Sequence, residues 1–233
     1  MKKSSYKEYL EALSKIGKAI TSDLYLGDIL KLIVTLAANV MNAKICSLWL
    51  LDEKDRALRI RATQAMSEEY LKERRLLVGE GIVGLVAKEK KPIVILDVLK
   101  DARYKEKTLA KKEKLTSMLS VPMMVKNKII GVINCYTTTL YEFSDSDIDL
   151  LTTVANQAAV AIENTELMVK TKIVQEELEA RKKIEKAKGI LMKQKNLTEE
   201  QAYELLRKAS MNKRLTMKDV AEAIILSSEI KGA

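Results

Sequence analysis

Between Ser144 and Gly189 the chain reads SDSDIDLLTTVANQAAVAIENTELMVKTKIVQEELEARKKIEKAKG, with no proline and with glycine only as its last residue. Ser144 and Asp147 have the spacing of a helix-capping pair, in which a side-chain acceptor is followed by an acid three residues later. We therefore expect one helix of about 43 residues, roughly 64 Å long at 1.5 Å per residue. Such a helix is too long to be buried within its own domain.

An apolar stripe along this helix has spacings that are compatible with a coiled coil. The stripe consists of Ile162, Val169, Ile173, Ala180, Ile184, Ala187 and Leu191. Because such a stripe is normally buried by another helix, we expect a parallel homodimer through it. The alternative is a frayed linker, since Glu176 and Glu177 lie within the stripe.

The residues before the long helix contain both prolines and most of the glycines, which predicts mixed α and β structure. Apolar periodicity predicts two helices over residues 4–41. Alternating runs predict five strands, near residues 44–51, 58–63, 93–96, 115–125 and 128–138. The glycine-rich stretch 78–87 is expected to be a turn that leads into a short helix. Because the last two strands are joined through only Lys126-Asn127, antiparallel pairing and an α+β fold are expected.

The residues at the end of the long helix and beyond it predict a small, basic three-helix domain. Thr198 with Gln201 and Thr216 with Asp219 are two further capping pairs, so two short helices should follow the long one. Residues 181–218 contain twelve Lys or Arg against four acids, a net charge of +8, while the whole chain carries +9. A charge this localised favours a polyanionic partner. The alternative is an ordinary solvated helix surface.

Composition excludes several functional classes. The chain has no histidine, which removes the commonest general base and most zinc sites. Cys46 and Cys135 are too few for a disulfide framework, and both lie in alternating apolar runs, so we expect buried free thiols. No signal peptide and no membrane-spanning run is visible, which predicts a protein of the reducing cytoplasm. We expect no catalytic residues, no metal and no fixed cofactor.

Two sets of motifs resemble known families. Val78 to Asp97, Ser120 to Pro122, Asn127 to Tyr136 and Phe143 to Glu166 resemble a GAF domain. The second set resembles an ANTAR domain and comprises Ala187 to Met192, Ala202-Tyr203, Leu206-Arg207, Ala209, Met211 and Val220-Ala221. The resemblance implies a six-stranded sensory module followed by a domain that binds paired stem-loops in nascent messenger RNA and prevents terminator formation. We therefore predict a GAF-like sensor at 1–165, a coiled-coil connecting helix at 166–180 and an ANTAR-like RNA-binding domain at 181–233.

The candidate RNA-binding residues lie on the last part of the long helix and on the helix after it. They are Arg181, Lys188, Gly189, Tyr203, Arg207, Lys208, Ser210 and Arg214. Tyr203, Arg207, Ser210 and Arg214 form one row if their helix continues that far, and aromatic and guanidinium groups suit the unstacked bases of RNA loops. Packing of Tyr203 into the helical bundle is the alternative. Gly189 costs about 1 kcal/mol within a helix, which favours a close approach of RNA or of another backbone.

The sequence therefore predicts a non-enzymatic, cytoplasmic antitermination regulator under the control of a GAF sensor. A small-molecule effector of unknown identity is expected at the sensor, RNA stem-loops at the tail, and no membrane. Two rival functions stay open, a regulator that binds double-stranded DNA through its basic helices and a sensory adaptor whose tail binds protein.

Overall fold

The computed structural model describes residues 26–64 and 74–231, together with Ser14. Contacts within the chain divide it into two compact units, residues 1–166 and 167–233. The first of the two helices predicted over residues 4–41 lies outside the described residues. The second is helix α1 (Leu26–Met41), which buries the apolar face that its periodicity predicts.

A six-stranded antiparallel sheet forms the centre of the first unit. Its strands are β1 (Ile45–Asp52), β2 (Ala57–Thr63), β3 (Arg75–Leu77), β4 (Ile93–Ile95), β5 (Met118–Val125) and β6 (Lys128–Tyr136). Their order is β3-β2-β1-β6-β5-β4, and every neighbouring pair is antiparallel. The predicted antiparallel α+β fold is confirmed. Strand β3 was not predicted from the sequence; it has only three residues, two of them exposed, so it shows no apolar run.

Helices cover both faces of this sheet. Helices α2 (Gly81–Glu89) and α3 (Lys107–Glu113) lie on one face, while α1 and the beginning of α4 (Asp145–Lys195) lie on the other. Alternate residues of strand β1 contribute to the cores on the two faces of the sheet, because successive side chains of a strand point to opposite faces. Cys46 and Leu48 belong to the core with α1 and α4, and Ile45 and Trp49 belong to the core with α2 and α3.

The two cysteines lie opposite each other on neighbouring central strands. Cys46 of β1 pairs with Cys135 of β6, their Cα atoms are 4.4 Å apart, and their sulfur atoms form a disulfide. Both residues are fully buried, so the predicted burial is confirmed, whereas the predicted free thiols are wrong. The sequence hides this proximity because 89 residues separate the two positions, and only the β1–β6 register brings them together.

Helix α4 is a single helix of 51 residues. It begins as predicted, since the Asp147 N–H donates to the Ser144 hydroxyl and the Ser144 N–H donates to the Asp147 carboxylate at 2.9 Å. It continues beyond the expected 43 residues because Gly189 does not interrupt it; Asn196, with φ of 53°, follows its last residue. Its first part is buried in the sensor unit through Leu151, Val154 and Ala158, among other residues.

Two short helices follow, and both predicted capping pairs are formed. Helix α5 (Glu199–Lys213) begins with reciprocal hydrogen bonds between Thr198 and Gln201, and α6 (Met217–Lys231) begins with those between Thr216 and Asp219. The hydrogen bonds from Thr216 hold the pKa of Asp219 below its usual value. Among the described residues, no helix is both long enough and apolar enough to cross a membrane.

Candidate nucleic-acid interface

The end of α4 packs with α5 and α6 around a small apolar core. Its buried members are Ala187, Leu191, Ala202, Leu206, Val220 and Ala221, and Ile184 packs against them. The predicted three-helix arrangement at the C-terminal end is therefore present, with the last turns of the long helix as its first helix. The core is small, so charged side chains dominate the surface of this unit.

The apolar stripe predicted along α4 does not form one continuous surface. Ile162 is buried in the sensor core, while Ile184, Ala187 and Leu191 pack against α5 and α6. Only Val169 and Ile173 in the middle of the stripe are exposed, by 54% and 50%. The expectation of one intermolecular seam from 162 to 191 is therefore wrong, because the chain itself buries both ends of it.

A second apolar row lies on a different side of α4 and is exposed along its length. Leu167, Val174 and Leu178 are exposed by 53%, 62% and 51%, and their separations of seven and four residues keep them on one side of the helix. Thr171 lies between the first two on the same side of the helix. The row of Leu167, Val174 and Leu178 is called the α4 seam below. The sequence did not distinguish it from the predicted stripe, because both are apolar and only packing separates them.

Lys188 is buried at the junction between α4 and α5. Its ammonium group forms ion pairs with Glu199 at 2.7 Å and with Glu185 at 2.9 Å, and only 9% of its side chain is exposed. The hydrogen bonds to Glu199 and Glu185 raise the pKa of Lys188, and the same ammonium lowers the pKa of Glu199. The geometry thus joins the first turn of α5 to the last turns of α4 through this lysine.

Several other cations of this unit also have carboxylate partners. Lys183 pairs with Glu222 at 2.6 Å and Lys186 with Glu229 at 2.9 Å, both across to α6. Two pairs lie within a single helix, Lys182 with Glu179 and Arg207 with Glu204, each at 3.2 Å. All four pairs are well exposed, and exposed pairs of this kind contribute little to stability. They leave these cations accessible to competing anions.

Other cations of this unit have no ion pair among the described residues, which distinguishes them from the paired ones. Between residues 181 and 218, all of which the structure describes, they are Arg181, Lys193, Lys195, Lys208, Lys213, Arg214 and Lys218. Of the predicted site residues, Arg181, Lys208 and Arg214 are in this set. Lys193, Lys213 and Lys218 were not predicted as specific site residues, and the signal for them is structural, since sequence does not show which lysines lack a carboxylate neighbour.

The row predicted on the second tail helix is only partly formed. Tyr203 is 44% exposed, so it does not pack into the bundle, and Arg207 lies one turn further along the same side. Ser210 instead donates its hydroxyl hydrogen to the carbonyl of Leu215 at 2.6 Å and holds the turn before α6. Helix α5 ends at Lys213, and Arg214 is in the left-handed region with φ of 54°, which takes it out of the row.

Gly189 lies in the interior of α4 although nothing in the described part of the chain requires a glycine there. A Cβ atom built at this position would meet no other atom within 4 Å, so packing does not explain the missing side chain. Lys186 and Lys193 are three residues before and four residues after it, which places them on the same side of the helix. The helix surface at Gly189, from which no side chain projects, is therefore bordered by the basic side chains of Lys186 and Lys193.

In the sensor unit, a row of buried polar side chains crosses the three adjacent strands β1, β6 and β5. Ser120 donates to the Asn134 side-chain oxygen at 2.7 Å, and the Asn134 amide approaches the Ser47 hydroxyl at 3.5 Å. All three residues are fully buried on the face that α2 and α3 cover. These groups satisfy one another. Among the described residues, no group of three or more His, Cys, Asp or Glu is placed to hold a metal ion.

Two family models match the chain and together cover most of it. Residues 25–163 match the GAF domain, and residues 173–225 match the ANTAR domain. Over 50 residues, 22% of its length, the chain is 44% identical to the transcriptional regulatory protein PdtaR of Mycobacterium tuberculosis, and the match covers 24% of that protein.

Further similarities lie with phosphotransferase proteins. The chain is 28% identical over 158 residues, 68% of its length, to the phosphoenolpyruvate-dependent phosphotransferase system of Escherichia coli, but it spans only 21% of that relative. The crystal structure of the GAF domain from an Acinetobacter phosphoenolpyruvate-protein phosphotransferase superimposes with a TM-score of 0.59 at 26% identity, over 70% of this chain and 97% of that one. The sheet with its flanking helices thus has close counterparts of known structure.

Proposed function

Since the chain belongs to the GAF family and carries an ANTAR domain after it, we propose that it is a transcription antitermination regulator whose tail binds paired RNA stem-loops. The observation that carries the proposal is the unpaired set of cations on a unit that also exposes Tyr203. Lysine and arginine attract the phosphates, while an exposed aromatic ring offers a stacking surface to the splayed bases of a loop. The chain is proposed to act in the cytoplasm without catalysing a reaction.

Within this interface, we assign different tasks to the predicted residues. Tyr203 and Arg207 contact loop bases, and Arg181, Lys208, Arg214 and Lys193 contact phosphates. Gly189 lets the RNA backbone approach α4 between Lys186 and Lys193. Lys188 and Ser210 support the interface from within the protein, since both are already engaged with protein partners.

Gel shifts at one fixed salt concentration test the proposed class of partner. The full-length protein is titrated with a tandem hairpin RNA, with a single hairpin and with a DNA duplex of equal length. We expect the tandem RNA to bind at least tenfold more tightly than the duplex. Preference for the duplex would favour the DNA-binding alternative, and binding to none of the three would favour a protein partner for the tail.

Separate substitutions of Lys188 and Lys193 should distinguish a residue that supports the interface from a residue that contacts RNA. We expect Lys193→Gln to weaken RNA binding and to reduce the salt dependence of log K by about one unit, because one phosphate contact is lost. Lys188→Met keeps the buried stem and removes the ammonium, so the melting temperature should fall while the salt dependence stays unchanged. Thermal denaturation and gel shifts at several salt concentrations measure both effects. A reduced salt slope for Lys188→Met would show that this lysine itself contacts phosphate.

We also propose that two copies pair in parallel through the α4 seam. The seam is apolar, neither core of the chain covers it, and a row of this periodicity is normally buried by a second helix. In a parallel pair Glu177 and Lys182 occupy flanking positions five residues apart, where opposite charges of the two helices meet. A dimer presents two tails, which matches an RNA target that carries two stem-loops.

The sensor unit would act on the tail through α4, and we propose a small-molecule effector for it. Because α4 is continuous from Asp145 to Lys195, a displacement of its first part is carried along an unbroken hydrogen-bonded backbone. No flexible linker intervenes along this helix. The effector is proposed to change how the tails are presented to the RNA.

A further inference from the structure

A depression of about 440 Å³ lies at the end of the sheet where the β1–β2 and β5–β6 turns are found. Its apolar lining residues are buried or half-buried and are called the floor below: Leu51, Val78, Ala87 and Ile129. Its rim is polar and consists of Glu53, Arg56, Lys88, Lys90 and Lys128. We call this depression the basic cleft. It is remote from the buried polar row at the middle of the sheet, and none of its residues belongs to the candidate RNA interface.

The walls of the basic cleft are fixed to one another. The Lys90 ammonium donates to the Asn127 carbonyl at 2.6 Å, which joins the end of α2 to the β5–β6 turn. Lys128 forms an ion pair with Glu53 at 2.8 Å, and the Val78 N–H donates to the Arg56 carbonyl at 3.1 Å. These three bridges connect all the segments around the cleft. A preformed site binds a ligand without first having to order its own walls.

Counted over the residues that line it, the charge of the basic cleft is not balanced. Four cations and one carboxylate give the rim a net charge of +3, and the carboxylate of Glu53 already has Lys128 as its partner. The carbonyl end of α2 gives Lys88 and Lys90 a favourable electrostatic environment. Arg56 lies on the β1–β2 turn, where no helix end stabilises its positive charge. Neither Arg56 nor Lys88 has an ion pair among the described residues.

We propose that the basic cleft binds a small organic anion, a phosphate or carboxylate attached to a compact apolar body. The cations would hold the charged group, and the four apolar residues of the floor would cover the body. Ligand sites of a few hundred Å³ commonly combine an apolar lining with a small number of charged groups. An inorganic anion alone would leave the floor exposed, and an uncharged ring would leave Arg56 and Lys88 without a partner.

The cleft also has an electrostatic connection to α4. Glu53 is the main cause of the raised pKa of Lys128, and Glu163 and Glu166 on α4 add to it. An anion that engages Lys128 competes with these carboxylates, so its binding changes the charge environment of α4. Only the statement that the anion is an effector rests on the proposed sensor function, because binding itself requires no RNA.

Calorimetric titration of the full-length protein tests the site with three probes: phenyl phosphate, inorganic phosphate and phenol. We expect phenyl phosphate to bind at least fivefold more tightly than either of the others, because it alone satisfies both the rim and the floor. The double variant Arg56→Glu, Lys88→Glu should lose at least tenfold in affinity for phenyl phosphate. The control is Lys54→Glu, Lys91→Glu, which makes the same charge change on neighbouring positions that do not line the cleft.

Two results would overturn the proposal. One is equal affinity for phenyl phosphate and inorganic phosphate, which would mean that the floor contributes nothing. The other is equal loss of phenyl phosphate binding in the cleft variant and in the control, which would point to the general positive charge of the protein. Gel shifts on the same variants show whether RNA binding persists, so failure of the cleft is distinguishable from failure of the RNA-binding proposal.

Discussion

Replacing Leu167 and Val174 with Lys should give a monomer that binds a single hairpin as before but binds a tandem pair of hairpins about 100-fold more weakly. Two charges per helix would then have to be buried in the α4 seam, which opposes pairing. Each tail stays intact because both residues are exposed in the chain. Losing the second tail removes an intramolecular binding step, which typically contributes a factor of 10² to 10⁴.

The matched control changes the other side of the same helix. Val169→Lys with Ile173→Lys makes the same chemical change at residues that are exposed to a similar degree, 54% and 50%. We expect this control to remain a dimer in sedimentation velocity and to keep its preference for tandem hairpins. If the control dissociates and the seam variant does not, the dimer uses the Val169 stripe and our assignment of the seam is wrong.

Replacing Gly189 with Ala should make the protein more stable and its RNA binding at least tenfold weaker. Alanine is favoured over glycine inside a helix by about 1 kcal/mol, and the added methyl group meets no atom of the residues that the structure describes. A loss of affinity would then come from a group outside the chain that approaches the backbone closely. Thermal denaturation measures the stability, and gel shifts with a single hairpin measure the RNA affinity.

Gly27 provides the control for this exchange. It lies in the first turn of α1, and a Cβ atom at that position also meets no atom of the described residues within 4 Å. Gly27→Ala should therefore leave RNA affinity unchanged, and any effect on stability will be that of a helical alanine alone. Unchanged RNA affinity in Gly189→Ala would exclude a close approach at that position and would leave its glycine without a role in binding.

Much of the fold could be predicted because local chemistry determines it. The capping pairs at Ser144, Thr198 and Thr216 mark the beginnings of α4, α5 and α6 through hydrogen bonds within four residues. Strands β1 and β6 follow from period-two alternation in the same way. Features of this kind require no knowledge of what lies on the other side of the sheet or helix.

The parts that failed depend on contacts between distant residues. Lys188 is buried because Glu199, the first residue of α5, lies against α4 and forms an ion pair with it. The two apolar stripes of α4 look alike in sequence, and only the packing of α5 and α6 decides that Ile184 and Leu191 belong to the chain's own core. The disulfide likewise follows from the pairing of β1 with β6 and from no local signal.

Helix α4 contributes to two separate hydrophobic cores, which has a consequence for hydrogen exchange. Its amides around Ala155 and Ala158 are protected by the sensor core, and those around Ala187 by the three-helix core. The segment between Leu167 and Leu178 has no such cover within one chain, and an isolated helical segment of this length is marginal in water. Exchange in this segment will therefore depend on protein concentration, fast where single chains prevail and slow where a second helix covers it.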